Sequence, residues 1–119
     1  MRPVISALTV GVLSLAAASV AQAGPPSFTV RCMHTGGPQI LPKYGTYHFF
    51  LKESLVKGYA CSIPGQPCDI TGRTATTITF QTPGENPDVV TIDLRDGTIQ
   101  HRKANGLHAT FACRQISGG

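Results

Sequence analysis

The sequence predicts an all-β domain, a small antiparallel sandwich or barrel-like meander with two disulfides. Apolar and polar residues alternate in short segments, most clearly from Val89 to Leu94, which is the period of a strand. Glycine and proline separate these segments, where turns are expected. Four cysteines lie in a short chain, and an even cysteine count in a small exported domain indicates a disulfide framework.

The first 23 residues predict a cleaved signal peptide. Arg2 carries their only charge, an uncharged apolar run follows, and Ala21-Gln22-Ala23 offers the small-x-small pattern of a cleavage site. A membrane-spanning helix needs about 20 strongly apolar residues, whereas serine, threonine and glycine dilute this run. We therefore expect a single small β domain over residues 24–119, periplasmic or secreted, with no membrane span after cleavage.

The first half of this domain is predicted to contain two strands and a loop. The first strand runs from Ser27 to Met33 and stops before Gly36-Gly37-Pro38. The stretch Tyr47–Leu55 fits helical spacing as well as strand spacing, and its three aromatic residues in four positions favour a strand. Cys61 to Cys68 is a loop by its proline and glycine content.

The second half is predicted to contain four strands. Thr74 to Thr82 is a strand rich in threonine and isoleucine, Pro83–Pro87 is a loop, and Val89 to Leu94 is the next strand. Asp96-Gly97 suits a two-residue type I′ turn, which places Leu94 opposite Ile99 and Ile92 opposite His101.

The following turn is predicted from the faces of its flanking strands. A three-residue loop, Ala104–Gly106 with Gly106 in the left-handed region, pairs Ile99 with Phe111, whereas a two-residue loop would put them on opposite faces. The resulting meander has one buried and one wet face. The buried face is Val90, Ile92, Leu94, Ile99, Leu107, Ala109 and Phe111, and the wet face is Thr91, Asp93, Arg95, Gln100, Arg102, His108 and Thr110.

The same faces predict the disulfide pairing. Cys32 follows Phe28 and Val30 at even spacing, and Cys113 continues the buried series that ends at Phe111. We therefore pair Cys32 with Cys113, and Cys61 with Cys68 across the loop between them. Zinc sites usually show C-x₂₋₄-C pairs, and the closest cysteines here are seven residues apart, so disulfides are favoured over a Cys₄ site.

No residue pattern for catalysis, a cofactor or a metal is found in the sequence. The four histidines are His34, His48, His101 and His108, and the two on neighbouring strands are predicted on opposite faces, against the convergence that a metal site needs. No G-x-S-x-G turn or phosphate-binding loop is present. Among the acids, Asp88 and Asp96 are assigned to turns. We expect no enzyme activity.

Charge gives a weak indication of partner. Residues 24–119 keep nine of the ten basic residues and all six acidic ones, a net charge of +3, with no basic run longer than two. This suits mild attraction to an anionic envelope polymer or an acidic protein, and it is too weak and dispersed to predict nucleic-acid binding.

The pattern Ile92-Asp93-Leu94-Arg95-Asp96-Gly97, followed by a terminal-strand cysteine such as Cys113, resembles a broad group of uncharacterised small periplasmic β-rich proteins of bacteria. The resemblance covers about the last third of the chain and implies a location and a fold, not an activity. The early strand Phe28–Cys32 is also similar to the periplasmic inhibitors of C-type lysozyme, which share a small β-barrel. Their Ser-Gly-x-x-Tyr loop is not found, since Ser117-Gly118-Gly119 is a tail.

Together these observations predict a non-catalytic exported binding or structural module of the bacterial envelope. Two alternatives stay open: an enzyme inhibitor of the lysozyme-inhibitor kind, acting through an exposed loop, and a metal-binding protein or small hydrolase. The candidate binding residues are those of the loop between the close cysteines, namely Ser62, Ile63, Gly65 and Gln66.

Overall fold

The computed structural model describes residues 25–118, which form a closed barrel of eight antiparallel strands. Each strand pairs with its neighbour in sequence, and the last strand closes on the first. The strands are β1 (Phe28–Gly36), β2 (Tyr44–Phe50), β3 (Leu55–Lys57), β4 (Cys68–Arg73), β5 (Thr77–Gln81), β6 (Val89–Asp93), β7 (Thr98–Arg102) and β8 (His108–Gly118). The all-β prediction is confirmed, in its barrel form. The predicted signal peptide lies outside the described residues.

The barrel interior is filled by every second residue of each strand, as a pleated sheet requires. Tyr47, Phe49 and Phe80 are fully buried, and their rings meet edge to face, with the Phe80 centroid 5.2 Å from Tyr47 and 5.6 Å from Phe49. The other buried apolar residues are Val30, Cys32, Val56, Cys61, Cys68, Ile78, Val90, Ile92, Ile99, Ala109 and Phe111. Within residues 25–118 no helix is long and apolar enough to cross a membrane.

The segment with ambiguous periodicity, Tyr47–Leu55, is a strand up to Phe50, where β2 ends. Residues 51–54 form a turn, and Leu55 begins β3. Tyr47 and Phe49 point inward and pair with Val30 and Phe28 of β1. The Phe28 and Phe49 rings stack with centroids 4.6 Å apart. Aromatic side chains on one face of a strand add cross-strand contacts, and this explains why the strand wins over the helix.

Two strands, β3 and β4, were not predicted. β3 has three residues, too few to show a period, and β4 contains Gly72 and a register shift between Ile70 and Gly72. A bulge breaks the strict alternation on which strand prediction depends. Both strands nonetheless place Val56 and Cys68 in the core.

The strand predicted over Thr74–Thr82 is shorter, Thr77–Gln81. Thr74 Oγ1 accepts hydrogen bonds from the N–H groups of Thr76 and Thr77, at 3.2 and 3.0 Å. A hydroxyl that bonds the backbone two and three residues ahead forms a turn instead of a strand.

The predicted register of the β6–β7 hairpin is wrong by two residues. Ile92 pairs with Ile99, not with His101, and the connection is the four-residue loop 94–97 instead of a two-residue turn. Asp93 explains this, because its carboxylate accepts the Arg95 N–H at 2.8 Å and its carbonyl accepts the Gly97 N–H at 2.8 Å.

The shift has a limited effect on the faces, because it is an even number of residues. Ile92 and Ile99 stay inside, whereas Leu94 falls in the loop and is 43% exposed. The assignment of Leu94 to the buried face is therefore wrong.

The β7–β8 hairpin is confirmed. Ile99 pairs with Phe111, residues 104–106 form the connection, and Gly106 has a φ of +94°. Leu107 was also expected inside, and this is wrong, since it is 44% exposed. It flanks the loop, where its carbonyl accepts the Lys103 N–H, and so lies beyond the barrel core.

Both predicted disulfides are present. Cys32 and Cys113 are direct cross-strand partners on β1 and β8, and Cys61–Cys68 closes the loop before β4. Within residues 25–118 no cysteine is free. Two disulfides are consistent with an oxidising compartment outside the cytoplasm.

Candidate functional site

The loop between Cys61 and Cys68 places its predicted binding residues at the surface. Ser62, Ile63, Gly65 and Gln66 are all exposed, and Ile63 is 58% exposed. The Gln66 N–H donates to the Ile63 carbonyl at 3.0 Å, and Gly65 has a φ of +79°. The disulfide and this turn together hold Ile63 outward.

The histidines do not come together. His101 is 1% exposed in the core, and His108 lies on the outer surface, so the prediction of opposite faces is confirmed. His48 Nδ1 lies 3.1 Å from Thr29 Oγ1 on neighbouring strands. In the described part of the chain, no three His, Cys, Asp or Glu side chains are placed to hold a metal ion.

His101 instead contacts Asp88, a pair that the sequence analysis missed. The backbone of Asp88 has the predicted turn role. Its carbonyl accepts the Thr82 N–H and its N–H donates to Thr82 Oγ1, so these two residues close the loop 83–87. Its carboxylate points elsewhere: Oδ2 lies 2.9 Å from His101 Nε2 and 3.3 Å from Lys103 Nζ, and Oδ1 accepts the Ala104 N–H at 3.3 Å. With the correct register, Val89 opposite Arg102, this contact could have been found, because Asp88 then falls beside the end of β7.

Asp88 gives the stability of the barrel a dependence on acid pH. Burial works to raise the pKa of its carboxyl, and the hydrogen bonds from His101, Ala104 and Lys103 outweigh burial and lower that pKa. A group whose pKa is lower in the folded state contributes stability above its unfolded pKa, about 3.9 for aspartate, and that contribution is lost as pH falls through the folded value.

We expect Asp88→Asn to lower the free energy of unfolding by about 1–3 kcal/mol at pH 7, because hydrogen bonds to a charged group are lost. The difference from the unsubstituted protein should shrink as the pH falls below the unfolded pKa of aspartate and through the lower pKa of the native carboxyl. Urea unfolding at a series of pH values measures this. Asp69→Asn, at an exposed position, is the control, and a difference that stays constant down to pH 2 would contradict the assignment.

Charge is divided unevenly around the barrel. Residues 25–52 and 97–118 form strands β1, β2, β7 and β8, and they contain six basic residues and no acidic residue, a net charge of +6. We call them the basic half. Residues 53–96, with β3 to β6, hold three basic and all six acidic residues, a net charge of −3. The six basic residues of the basic half are Arg31, Lys43, Lys52, Arg102, Lys103 and Arg114.

The basic residues of this half lie on or beside strands that the closed sheet makes neighbours. They are scattered along the sequence, but β8 pairs with β1 and so joins the two ends of the chain, where no acid occurs. Of the six lysines and arginines of this half, only Lys103 forms an ion pair among the described residues, with Asp88 at 3.3 Å. The remaining charges of the basic half face solvent without a carboxylate partner.

A groove of about 310 Å³ lies in the basic half, across β8, β1 and β2. It is lined by two arginines, by the side chains of Met33, Tyr44 and Ala112, and by Cys32 and Cys113; the arginines are Arg31 and Arg114. A second depression, of about 260 Å³, is lined by Asp93 and Asp96 together with threonines of β5 to β7. The carboxylates of Asp93 and Asp96 therefore do not line the groove of the basic half.

Comparison with known proteins adds no relationship: no protein-family model, no curated protein and no solved structure matches the chain.

Proposed function

We propose that this protein is a non-catalytic binding module of the bacterial envelope, exported to the periplasm or beyond, that holds an anionic partner on its basic half. The observation that carries the proposal is the division of charge, +6 against −3, between the two halves of one barrel. The two disulfides support export.

The division matters more than the net charge of +3. A surface with one sign of charge raises the local concentration of opposite charges and orients the approaching partner. The acidic half repels the same partner, so attachment is favoured through one side of the barrel. An anionic polymer of the envelope, with repeated charges, gains from several such contacts at once.

We expect charge removal to weaken binding on one half only. Lys43→Gln with Arg102→Gln removes two exposed charges from the basic half, and Lys57→Gln with Arg73→Gln removes two from the other half. The first variant should elute from immobilised polygalacturonate at lower salt than the second. The slope of log affinity against log salt should fall by about 1–2 for the first variant, since roughly one counterion is released per contact.

The two variants have the same net charge, so equal elution would contradict the proposal. A neutral dextran column shows whether retention needs the polymer's charge. If neither variant differs from the unsubstituted protein, the basic half is not a binding surface.

A second candidate is an enzyme inhibitor that acts through the loop Cys61–Cys68. The observation that favours it is the outward position of Ile63, 58% exposed on a loop closed by a disulfide. A preformed loop loses little conformational entropy on binding. In this case Ile63→Asp would abolish inhibition of the target enzyme, and the charge variants of the basic half would leave it intact.

A further inference from the structure

Two arginines line the groove of the basic half. Arg31 and Arg114 are direct cross-strand partners on β1 and β8, and both are exposed. Like charges placed directly opposite each other repel. Neither arginine forms a salt bridge with any residue among 25–118. An anion between them would remove the repulsion and would accept hydrogen bonds from both forks.

A disulfide beside the pair and a cation–π contact of Arg31 restrict this part of the groove. The disulfide joins Cys32 to Cys113, the residues immediately next to the two arginines, and so braces β1 against β8 at that point. On the third strand Tyr44 lies under Arg31, with the guanidinium carbon 5.7 Å from the ring centroid. Lys43 Nζ lies 5.8 Å from the same ring. Cation–π contacts of this length restrict the cations, which lowers the entropy cost of binding an anion.

The charge at this place favours a phosphate over a carboxylate. A phosphate monoester carries a charge of about −1.5 to −2 at pH 7 and three acceptor oxygens, which matches two guanidinium groups. A carboxylate offers one charge and two oxygens.

The rest of the groove lining is apolar and exposed. Met33 is 37% and Tyr44 52% exposed, and Ala112 leaves space at the base because its side chain is small. An acyl chain needs an enclosed apolar cavity to leave water, which this groove does not provide. A sugar ring suits it, because its C–H face can pack on Met33 and Tyr44 while its hydroxyl groups remain in water.

We propose that the groove binds a sugar phosphate, with the phosphate between Arg31 and Arg114 and the sugar ring against Met33 and Tyr44. This inference rests on the proposed function, and it identifies the sugar phosphate as one unit of the anionic partner. The volume of about 310 Å³ lies at the low end for ligand sites, which fits a single phosphorylated sugar.

Titration of the ¹⁵N-labelled protein with glucose 1-phosphate, followed by NMR, tests this. We expect shifts at the amides of 31–33 and 112–114, with no response to glucose. Glucose 1-phosphate should bind at least about fivefold more tightly than inorganic phosphate, because only the sugar buries the apolar wall. Glucuronate, which has a carboxylate, should bind more weakly than glucose 1-phosphate.

Two variants identify the groups. Arg31→Gln with Arg114→Gln should weaken binding of glucose 1-phosphate at least about tenfold, since charge-assisted hydrogen bonds are lost. The charge-matched control from the other half, Lys57→Gln with Arg73→Gln, should bind as the unsubstituted protein does. Tyr44→Ala should reduce the preference for glucose 1-phosphate over inorganic phosphate.

Shifts confined to another surface, or equal binding by the two double variants, would overturn the inference. If retention on polygalacturonate still depends on the basic half while glucose 1-phosphate does not bind, the sugar phosphate site is wrong and the proposed function stands. If both fail, both are wrong.

Discussion

Replacing Cys32 and Cys113 together by alanine should lower the free energy of unfolding by about 4–5 kcal/mol. The bridge closes a loop with a sequence separation of 81, and the chain-entropy cost of opening such a loop in the unfolded state is of this size. Domains of this kind have a total stability of about 5–15 kcal/mol. The variant should therefore unfold at a much lower urea concentration, or fail to fold at 37 °C.

The matched control is Cys61→Ala with Cys68→Ala. Its loop has a sequence separation of 7, so the same model gives a loss of about 2–3 kcal/mol. Urea unfolding of both double variants, under oxidising conditions, measures the difference. Equal losses would show that the long bridge does not dominate stability.

Phe111→Ala should cost about 3–5 kcal/mol, as deletion of a buried aromatic ring does. Phe111 is 1% exposed, and its ring centroid lies 5.6 Å from those of Tyr59 and His34 and 6.3 Å from that of His101. Removal of the ring leaves three aromatic neighbours without their common contact. The midpoint of urea unfolding reports the loss.

Thr110→Ala is the control on the same strand. Thr110 faces outward, where its hydroxyl lies 3.2 Å from that of Thr35, so its loss should cost about 0.5–1.5 kcal/mol, one hydrogen bond. Losses of similar size at 110 and 111 would mean that the inner and outer faces of β8 are assigned wrongly.

The two hairpins show why some of the fold was predictable. For β7–β8 the loop length and the alternation of Ile99 and Phe111 lead to one register, and it is correct. For β6–β7 the same alternation allows registers that differ by two residues, because both keep the faces. The choice depended on the side chain of Asp93, which captures the Arg95 N–H. A period of two cannot reveal such a local hydrogen bond.

The candidate site was less predictable than the fold. Along the sequence the basic residues are scattered, and none of their runs exceeds two. Their grouping follows only when β8 closes on β1, which brings Arg114 beside Arg31 from a distance of 83 positions in the chain. The predicted pairing of Cys32 with Cys113 already implies that the adjacent residues, Arg31 and Arg114, are neighbours.

Closure of the barrel by β1 and β8 also sets the order of folding. The last ladder joins the first and last described strands, so the most distant parts of the chain must meet before the sheet has no free edge. Contacts of such separation form late and slow folding. Hairpins such as β7–β8 can form locally, but the ring is incomplete until β8 has been synthesised. Until then the edge of β1 that β8 will cover keeps its unpaired N–H and C=O groups, and such an edge can pair with another chain.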